Sequence, residues 1–188
     1  DLDTFRPIQS DFRKKYQIEN KFIILGVASS WAPRKGLDVF VKLAEDLPEE
    51  YQIVIVGIDE REKNKLPETI ISITRTNNQK ELAEIYSVAD VFVNPTREEN
   101  FPTTNIEALA CGTGVITYRT GGSPEIIDQE TGVVVEKDNY DELKQAIFKV
   151  KKDGTFSKEK CRNRSMKYSR DERYKEYVEL FESILEGR

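Results

Sequence analysis

The sequence contains no histidine, and only two cysteines, one methionine and one tryptophan occur among its 188 residues. Any reaction that needs an imidazole base must therefore take that group from outside this chain. Cys111 and Cys161 cannot build the disulfide framework that staples small secreted domains. This cysteine usage favours a reducing, cytoplasmic compartment.

Long apolar runs and an excess of positive charge are also missing. No stretch approaches the ~20 apolar residues that a membrane-spanning helix needs, and the opening D-L-D-T-F-R-P does not resemble a signal peptide. The formal net charge is -5, so no overall basic field attracts nucleic-acid phosphates, and we expect no nucleic-acid partner. What remains, 38% hydrophobic and 34% charged residues, is typical of a globular domain with a sizeable core.

Apolar runs alternate with amphipathic segments along most of the chain. The runs predict strands at residues 22–28, 52–57, 69–74, 91–94, 114–118 and 133–135. The amphipathic segments predict helices at 36–46, 79–88, 105–111 and 140–151, with a helical region from 157 to 185 broken near 169–170. Apolar strands separated by helices predict an α/β fold, a Rossmann-like parallel sheet with helices on both faces. In such folds ligands bind beyond the carboxyl ends of the strands.

The stretch E-N-F-P-T-T-N-I-E follows the fourth predicted strand and opens the next helix. Its two carboxylates, Glu99 and Glu107, can accept hydrogen bonds from several hydroxyls at once, which suits a sugar or a ribose. Two structural readings compete with this one. Thr104 and Glu107 also fit a capping box, in which the threonine caps the helix, and Glu99 also fits a solvated loop charge. The position of both carboxylates at the ligand edge favours a binding site.

Three further loops fall at the same predicted edge. Arg34 and Lys35, in S-S-W-A-P-R-K-G, precede a helix and suit a diphosphate, unless they are only a solvated basic pair. The glycine pair of T-G-G-S-P-E (120–125) allows close backbone approach to a ligand, or forms an ordinary tight turn. The loop R-T-N-N (75–78), with Asn77 and Asn78, could contact a nucleobase, or be an ordinary polar loop. The chain contains neither G-x-G-x-x-G nor a P-loop, so an ordinary dinucleotide-binding domain is not supported.

Together these segments resemble the C-terminal, donor-binding domain of GT-B glycosyltransferases, specifically glycosyltransferase family 4. Glu99 to Glu107 matches that family's E-x7-E motif, R-K-G its K-G element, and G-G-S-P-E its glycine pair and glutamate. The likeness covers almost the whole chain and implies one half of a GT-B fold. Residues 1–20 would be a remnant of the interdomain linker, 21–152 the nucleotide-sugar-binding domain, and 153–188 helices that pack on a missing N-terminal acceptor domain.

The resemblance also implies a role for each matching position. Glu107 would bind the ribose hydroxyls, Glu99 the transferred sugar, and Lys35, helped by Arg34, the departing diphosphate. The residues expected to be catalytic are Glu99, Lys35 and Arg34. Those expected to bind the donor are Glu107, Asn100, Phe101, Pro102, Thr103, Thr104, Asn77, Asn78, Gly26, Ser29 and Ser30. Transfer in this family retains the anomeric configuration and needs no metal or other cofactor.

The predicted function is therefore donor binding within a retaining hexosyltransferase. The donor would be a nucleoside-diphosphate sugar, expected to be a UDP-sugar, and the acceptor a glycan or lipid-linked glycan in surface polysaccharide synthesis. The isolated chain is expected to be inactive, and the full-length enzyme to be cytoplasmic, with a peripheral contact at the inner face of the membrane. Leu180, Phe181 and Leu185 are expected to be exposed, because they would face the missing domain.

The sequence departs from the family pattern at three places. Ser29 and Ser30 stand where many members carry an arginine, Pro102 replaces a common glycine, and Thr103 and Thr104 replace the usual leucine and proline. Three other functions also stay open at this point. The alternatives are a noncatalytic GT-B-like binding or assembly module, one half of a nucleotide-sugar epimerase, and a plain Rossmann cofactor domain.

Overall fold

Six short apolar segments form one sheet in the computed structural model of the chain, which describes residues 1–187. The strands are β1 (Phe22–Val27), β2 (Tyr51–Val56), β3 (Ile71–Ile73), β4 (Val91–Asn94), β5 (Val115–Tyr118) and β6 (Gly132–Val135). Their order is β3-β2-β1-β4-β5-β6, and every neighbouring pair is parallel. The predicted Rossmann-like α/β sheet is confirmed. One half of the sheet comes from residues 22–73 and the other from 91–135, and the two halves meet where β1 pairs with β4.

The helices are α1 (Phe12–Lys15), α2 (Leu37–Asp46), α3 (Glu60–Lys63), α4 (Gln79–Val88), α5 (Thr103–Ala110), α6 (Ser123–Ile126), α7 (Tyr140–Asp153), α8 (Lys158–Met166) and α9 (Arg170–Leu185). A 3-10 turn, Pro33–Lys35, precedes α2. The predicted break near 169–170 is confirmed, with Ser169 capping α9. Both β4 and α4 have the predicted bounds.

The sheet is covered on both faces, as the absence of polar alternation in its strands predicts. Along β1, Ile23 and Leu25 point into a layer formed with α4, α5 and α8, whereas Ile24 points into a layer formed with α2 and α7. All three side chains are fully buried. Trp31 belongs to the second layer, where its Nε1 donates to the Val56 carbonyl at 3.1 Å, so the tryptophan is part of the core.

The first twenty residues pack against the domain. Phe5, Phe12 and Ile18 are buried in the layer that contains α4 and α5. The guanidinium of Arg162, on α8, donates to the backbone carbonyls of Phe5 and Leu2 at 2.5 and 2.8 Å. This segment is therefore fixed to α8 at the opposite end of the chain, while its assignment as linker stays a prediction.

The last helix, α9, has no buried residue. Its large apolar side chains are all more than half exposed; they are Tyr174, Tyr177, Val178, Leu180, Phe181, Ile184 and Leu185. The exposure predicted for Leu180, Phe181 and Leu185 is confirmed. Across residues 1–187, no helix combines the length and the apolar character that crossing a membrane requires.

Both cysteines are buried free thiols. Burial raises the pKa of Cys111 and of Cys161 to about 12, so neither is ionised near neutral pH. Cys111 packs behind α5 and Cys161 lies on α8, in the same core layer. They contribute packing rather than a nucleophile.

Candidate functional site

A cleft of about 740 Å³ opens at the carboxyl ends of the central strands. The order of the sheet reverses between β1 and β4, and such a switch point leaves a crevice between neighbouring loops. The cleft is lined by the residues that follow β1, β2 and β3, by the 3-10 turn before α2, and by the loop that leads from β4 into α5. These are Val27, Ala28, Ser29, Lys35, Val56, Gly57, Thr74, Arg75, Thr76, Leu82, Glu99, Phe101, Pro102, Thr103, Thr104 and Glu107.

Lys35 and Glu99 meet inside this cleft as an ion pair. The Nζ of Lys35 donates to the Glu99 carboxylate at 2.9 Å, and the two side chains are only 23% and 14% exposed. The 3-10 turn presents Lys35 because Gly36, the next residue, has a φ of +76°, and a Cβ there would lie 2.6 Å from the Pro95 carbonyl. An anionic ligand would therefore compete with Glu99 for a positioned ammonium group.

Glu107 is the second carboxylate of the cleft. It lies on α5 and accepts a hydrogen bond of 3.2 Å from the hydroxyl of Tyr86, a fully buried tyrosine. Burial raises the pKa of Glu107 to about 7, although the Tyr86 hydrogen bond acts in the opposite direction. The same burial, together with the nearby Glu107 charge, holds the pKa of Tyr86 well above its usual value, so the tyrosine remains a donor.

The predicted capping box at Thr104 and Glu107 is wrong. Helix α5 begins at Thr103, with Pro102 at the cap position, and no side chain caps it. Since the helix starts earlier than predicted, Thr104 lies inside its first turn and Glu107 is turned towards Tyr86.

A buried polar network supports the loops that form the cleft. The Asn94 amide donates to the Asn105 side chain at 2.8 Å, and the Thr96 hydroxyl donates to the Asn94 side chain at 2.5 Å. Thr117 donates to the Asn94 carbonyl at 3.2 Å, and Thr120 to the Thr96 carbonyl at 2.8 Å. These bonds tie the loop after β4 to the loop after β5. Sequence reasoning missed the network, because isolated Asn and Thr residues at strand ends carry no distinctive pattern.

Two glycines allow loops at this edge to approach each other closely. Gly57 has a φ of +86°, and a Cβ there would lie 1.7 Å from the Ala28 carbonyl oxygen. Gly121 has a φ of +48°, and a Cβ there would lie 1.9 Å from the Glu99 carbonyl oxygen. Gly121 thus lets the T-G-G-S-P-E loop pack against the backbone that carries Glu99, and the approach of this loop to a ligand stays a prediction.

The structure brings eight of the predicted site residues together in the cleft. They are Lys35, Glu99, Glu107, Phe101, Pro102, Thr103, Thr104 and Ser29. Two others, Arg34 and Asn100, line a neighbouring cavity on the other side of Glu99. The remaining four, Gly26, Ser30, Asn77 and Asn78, line neither space.

The four outlying residues have local roles or face solvent. Gly26 is inside β1, where a Cβ would lie 2.5 Å from the ring of Phe40, so it is needed for packing between strand and helix. Asn78 caps α4 by accepting from the Glu81 backbone N–H at 2.9 Å, and Asn77 donates to the Glu81 carboxylate at 2.8 Å. Ser30 is exposed. None of the four lines the cleft, and their contact with a donor stays a prediction.

Arg75 and Thr76, from the predicted R-T-N-N loop, also line the cleft. Four other lining residues from this side were not predicted; they are Val56, Gly57, Thr74 and, from α4, Leu82. The signal that could have found Gly57 and Thr74 is their position directly after a strand, since every loop after a parallel strand opens at the same edge. Among residues 1–187, no group of three or more acidic or cysteine side chains is arranged to hold a metal ion.

Comparison with known protein families and curated proteins gives consistent matches. A family model described as glycosyl transferases group 1 matches residues 8–172. The chain is 28% identical over 174 residues to a D-inositol 3-phosphate glycosyltransferase of Mycobacteroides abscessus, covering 84% of this chain and 39% of that protein. It is 27% identical over 189 residues to an alpha-galactosylglucosyldiacylglycerol synthase of Streptococcus pneumoniae, covering 87% and 46%. The chain spans less than half the length of either relative.

Solved structures share the fold over most or all of the chain. A glycosyltransferase from Rickettsia africae superposes with a TM-score of 0.82 at 24% identity, covering 100% of this chain and 56% of that one. The Anabaena protein Alr3699/HepE, solved in complex with UDP-glucose, superposes with a TM-score of 0.75 at 17% identity, covering 88% and 50%. At these identities the likeness establishes a common fold.

Proposed function

The chain belongs to the glycosyl transferases group 1 family, and from that membership we propose that its cleft binds the nucleoside-diphosphate sugar donor of a glycosyltransferase. One observation carries the proposal. Lys35 and the stretch that carries Glu99 and Glu107 come from separate segments of the sequence, and the three side chains meet in one cleft at the carboxyl edge of the sheet. A cation beside two hydroxyl-accepting carboxylates matches the parts of a sugar nucleotide: a diphosphate between a ribose and a hexose.

Lys35 acts on the diphosphate in this proposal. Breaking the bond between sugar and diphosphate leaves negative charge on the leaving group, and a positioned cation stabilises that charge. In the free chain the Lys35 ammonium is paired with Glu99 at 2.9 Å. Donor binding exchanges this partner for phosphate oxygens, and the Glu99 carboxylate becomes available to accept hydrogen bonds from the hydroxyls of the transferred sugar.

Glu107 holds the ribose in this proposal. Its carboxylate already accepts from Tyr86, and the rest of the group borders the cleft beside Thr103 and Thr104. The loop 74–76 and Gly57 then border the space left for the base. We assign UDP as the nucleotide, which is supported by the UDP-glucose bound in the similarly folded Anabaena protein.

The wider reaction is proposed on the same basis. It is retaining, metal-independent hexosyl transfer of the family 4 type, to a glycan or lipid-linked acceptor in surface polysaccharide synthesis. The enzyme works in the cytoplasm, at the inner face of the membrane. The chain spans less than half of its curated relatives and contains no histidine, so the isolated chain binds donor without transferring sugar.

Calorimetric titration of the isolated chain tests the donor site. We expect saturable binding of UDP and UDP-glucose, weaker binding of GDP and ADP, and no loss of UDP affinity when EDTA is added. Lys35→Gln should weaken UDP binding at least about tenfold, because it removes a charge-assisted contact. Lys152→Gln, at an exposed lysine of α7, is the matched control and should bind UDP like the parent. A chain to which none of these nucleotides binds saturably would be a noncatalytic module, and the proposal would be wrong.

A further inference from the structure

A second cavity lies beside the cleft, and Glu99 forms part of both. This cavity, called the basic cavity below, measures about 570 Å³. It is lined by Arg34, Arg97, Glu98, Glu99, Asn100, Arg119, Thr120, Gly121 and Lys137. Apart from Arg34, in the 3-10 turn before α2, its residues follow β4, β5 and β6, whereas the cleft combines the loops after β1, β2 and β3 with the loop from β4 into α5. The two spaces therefore lie on opposite sides of the carboxylate that we assign to the sugar.

Two of the four cations in the basic cavity are neutralised by carboxylates. Arg97 binds Asp38 and Asp138 at 2.7 and 2.6 Å. Arg119 binds Glu136 at 2.6 Å, but both side chains are more than half exposed. An exposed pair of this kind is worth little and exchanges readily. Arg97 is thus a fixed part of the wall, while Arg119 can turn to another anion.

The other two cations have no carboxylate within ion-pair distance among residues 1–187. Arg34 donates to the Glu98 carbonyl at 3.2 Å, which satisfies one N–H of its guanidinium and leaves its charge uncompensated. Lys137 has no ion pair in the same part of the chain. Of the two carboxylates in the cavity, Glu99 is paired with Lys35. The other, Glu98, is exposed and has no ion pair among residues 1–187. The side chains that line the cavity thus carry four positive charges and two negative ones, and the carboxylates that pair with Arg97 and Arg119 are not among the lining residues.

The walls of the basic cavity are held in place before any ligand arrives. Gly121 brings its backbone into contact with that of Glu99, a fit that a Cβ would prevent. The Gly122 N–H donates to the Asn100 carbonyl at 2.6 Å, and the Thr120 hydroxyl donates to the Thr96 carbonyl at 2.8 Å. A preformed cavity costs little ordering entropy on binding.

We propose that the basic cavity binds an oxyanion, a phosphate or carboxylate carried by a sugar, next to the sugar held at Glu99. This inference rests on the proposed function in one respect, the sugar that it places at Glu99. The affinity of the basic cavity for an anion does not depend on the proposed function. Arg34, Lys137 and Arg119 would contact the oxyanion, and Glu98 opposes it. Two sources fit this chemistry: a carboxylate on the donor sugar and a phosphate on an acceptor sugar.

Amide chemical shifts of the isotope-labelled chain test this site, since they report binding and its location together. We expect glucose 6-phosphate, and inorganic phosphate more weakly, to shift Asn100, Gly121 and Lys137 saturably, while glucose does not. Lys137→Gln should weaken this binding about fivefold and Glu98→Gln should strengthen it by a similar factor, as expected for one partly screened charge. Lys152→Gln is again the matched control and should change nothing. These side chains are exposed or line an open cavity, so the variants should keep the parent spectrum elsewhere.

A comparison of UDP-glucuronate with UDP-glucose identifies the source of the oxyanion. Tighter binding of the glucuronate, lost in Lys137→Gln, assigns the cavity to a carboxylate of the donor sugar. Equal binding, with saturable glucose 6-phosphate, assigns it to a phosphate on an acceptor. The proposal is overturned if neither probe shifts these residues, or if Lys137→Gln and Glu98→Gln leave the affinities unchanged. UDP shifts at Ser29 and Thr103 report the donor cleft separately, so failure of the two proposals is distinguishable.

Discussion

At the scale of single residues, the buried carboxyl of Glu107 makes folding stability depend on pH. Its pKa is about 7 in the folded chain against an ordinary value of 4.5, so the folded state holds this proton more tightly than the unfolded state. The contribution of this group to the free energy of unfolding is therefore fully present below pH 4.5 and is lost as the pH rises through about 7. The loss is at most ~3 kcal/mol.

Glu107→Gln should remove this dependence. We expect the variant to gain stability relative to the parent between pH 4.5 and 7, with a constant difference at higher pH. Urea unfolding at a series of pH values gives that difference directly and cancels the contribution of other groups. Glu179→Gln, at an exposed carboxylate of α9, should show no such trend. A pH-independent difference for Glu107→Gln would mean that the carboxyl titrates normally.

Single residues also show where sequence reasoning ends. Lys35, Glu99 and Glu107 could be placed at one edge, because the position of a loop after a parallel strand is decided by the topology of the sheet. The direction of a side chain is decided locally. Asn78 accepts from the Glu81 N–H and so caps α4, since unpaired N–H groups at a helix start favour short polar side chains, and the Asn77 amide donates to the Glu81 carboxylate.

At the scale of elements, the contact between the loops after β4 and β5 depends on Gly121. Gly121→Ala should destabilise the chain by more than about 1 kcal/mol, because the residue needs a positive φ and has no room for a methyl group. The displaced backbone carries Glu99, so affinity for UDP-glucose should fall more than affinity for UDP. Urea unfolding and calorimetry measure the two effects.

Gly154→Ala is the matched control for this prediction. Gly154 also has a positive φ, of +96°, but nothing lies within 4 Å of a Cβ there. An alanine at position 154 must adopt the same unfavourable positive φ, but its methyl group collides with nothing. We therefore expect Gly154→Ala to leave nucleotide binding intact. Equal losses in the two variants would show that the contact with the Glu99 backbone is unimportant.

The elements themselves were largely predictable from local signals. Apolar runs bounded by Pro95 and by Gly114 define β4 and β5 to within a residue or so, and the helical spacing of apolar residues defines α4. The start of α5 was misplaced, because two threonines and a proline in a row offer several equivalent caps and only packing selects one. The partners of the strands and the buried network at Asn94 depend on contacts distant in sequence, which no local pattern encodes.

At the scale of the whole molecule, α9 stands apart from the core. A chain ending at Ser169 should fold like the parent, with a melting temperature within a few degrees of it, because no residue of α9 is buried. Thermal unfolding followed by circular dichroism tests this. Arg162→Ala is the contrasting variant and should lower the melting temperature clearly, since that guanidinium bonds to the Phe5, Leu2 and Ala110 carbonyls. A large loss on removing α9 would show that the helix stabilises the domain.

Because of how the sheet is assembled, a ligand bound in the cleft should make the unfolding of the whole chain more cooperative. Residues 22–73 and 91–135 form two blocks that share a seam at β1 and β4. Ser29, Lys35 and Gly57 line the cleft from the first block, and Glu99 and Glu107 from the second. A molecule bound there touches both blocks, and the opening of either block releases it. Its binding free energy is therefore absent from every half-open form, which makes the occupied chain unfold as one unit.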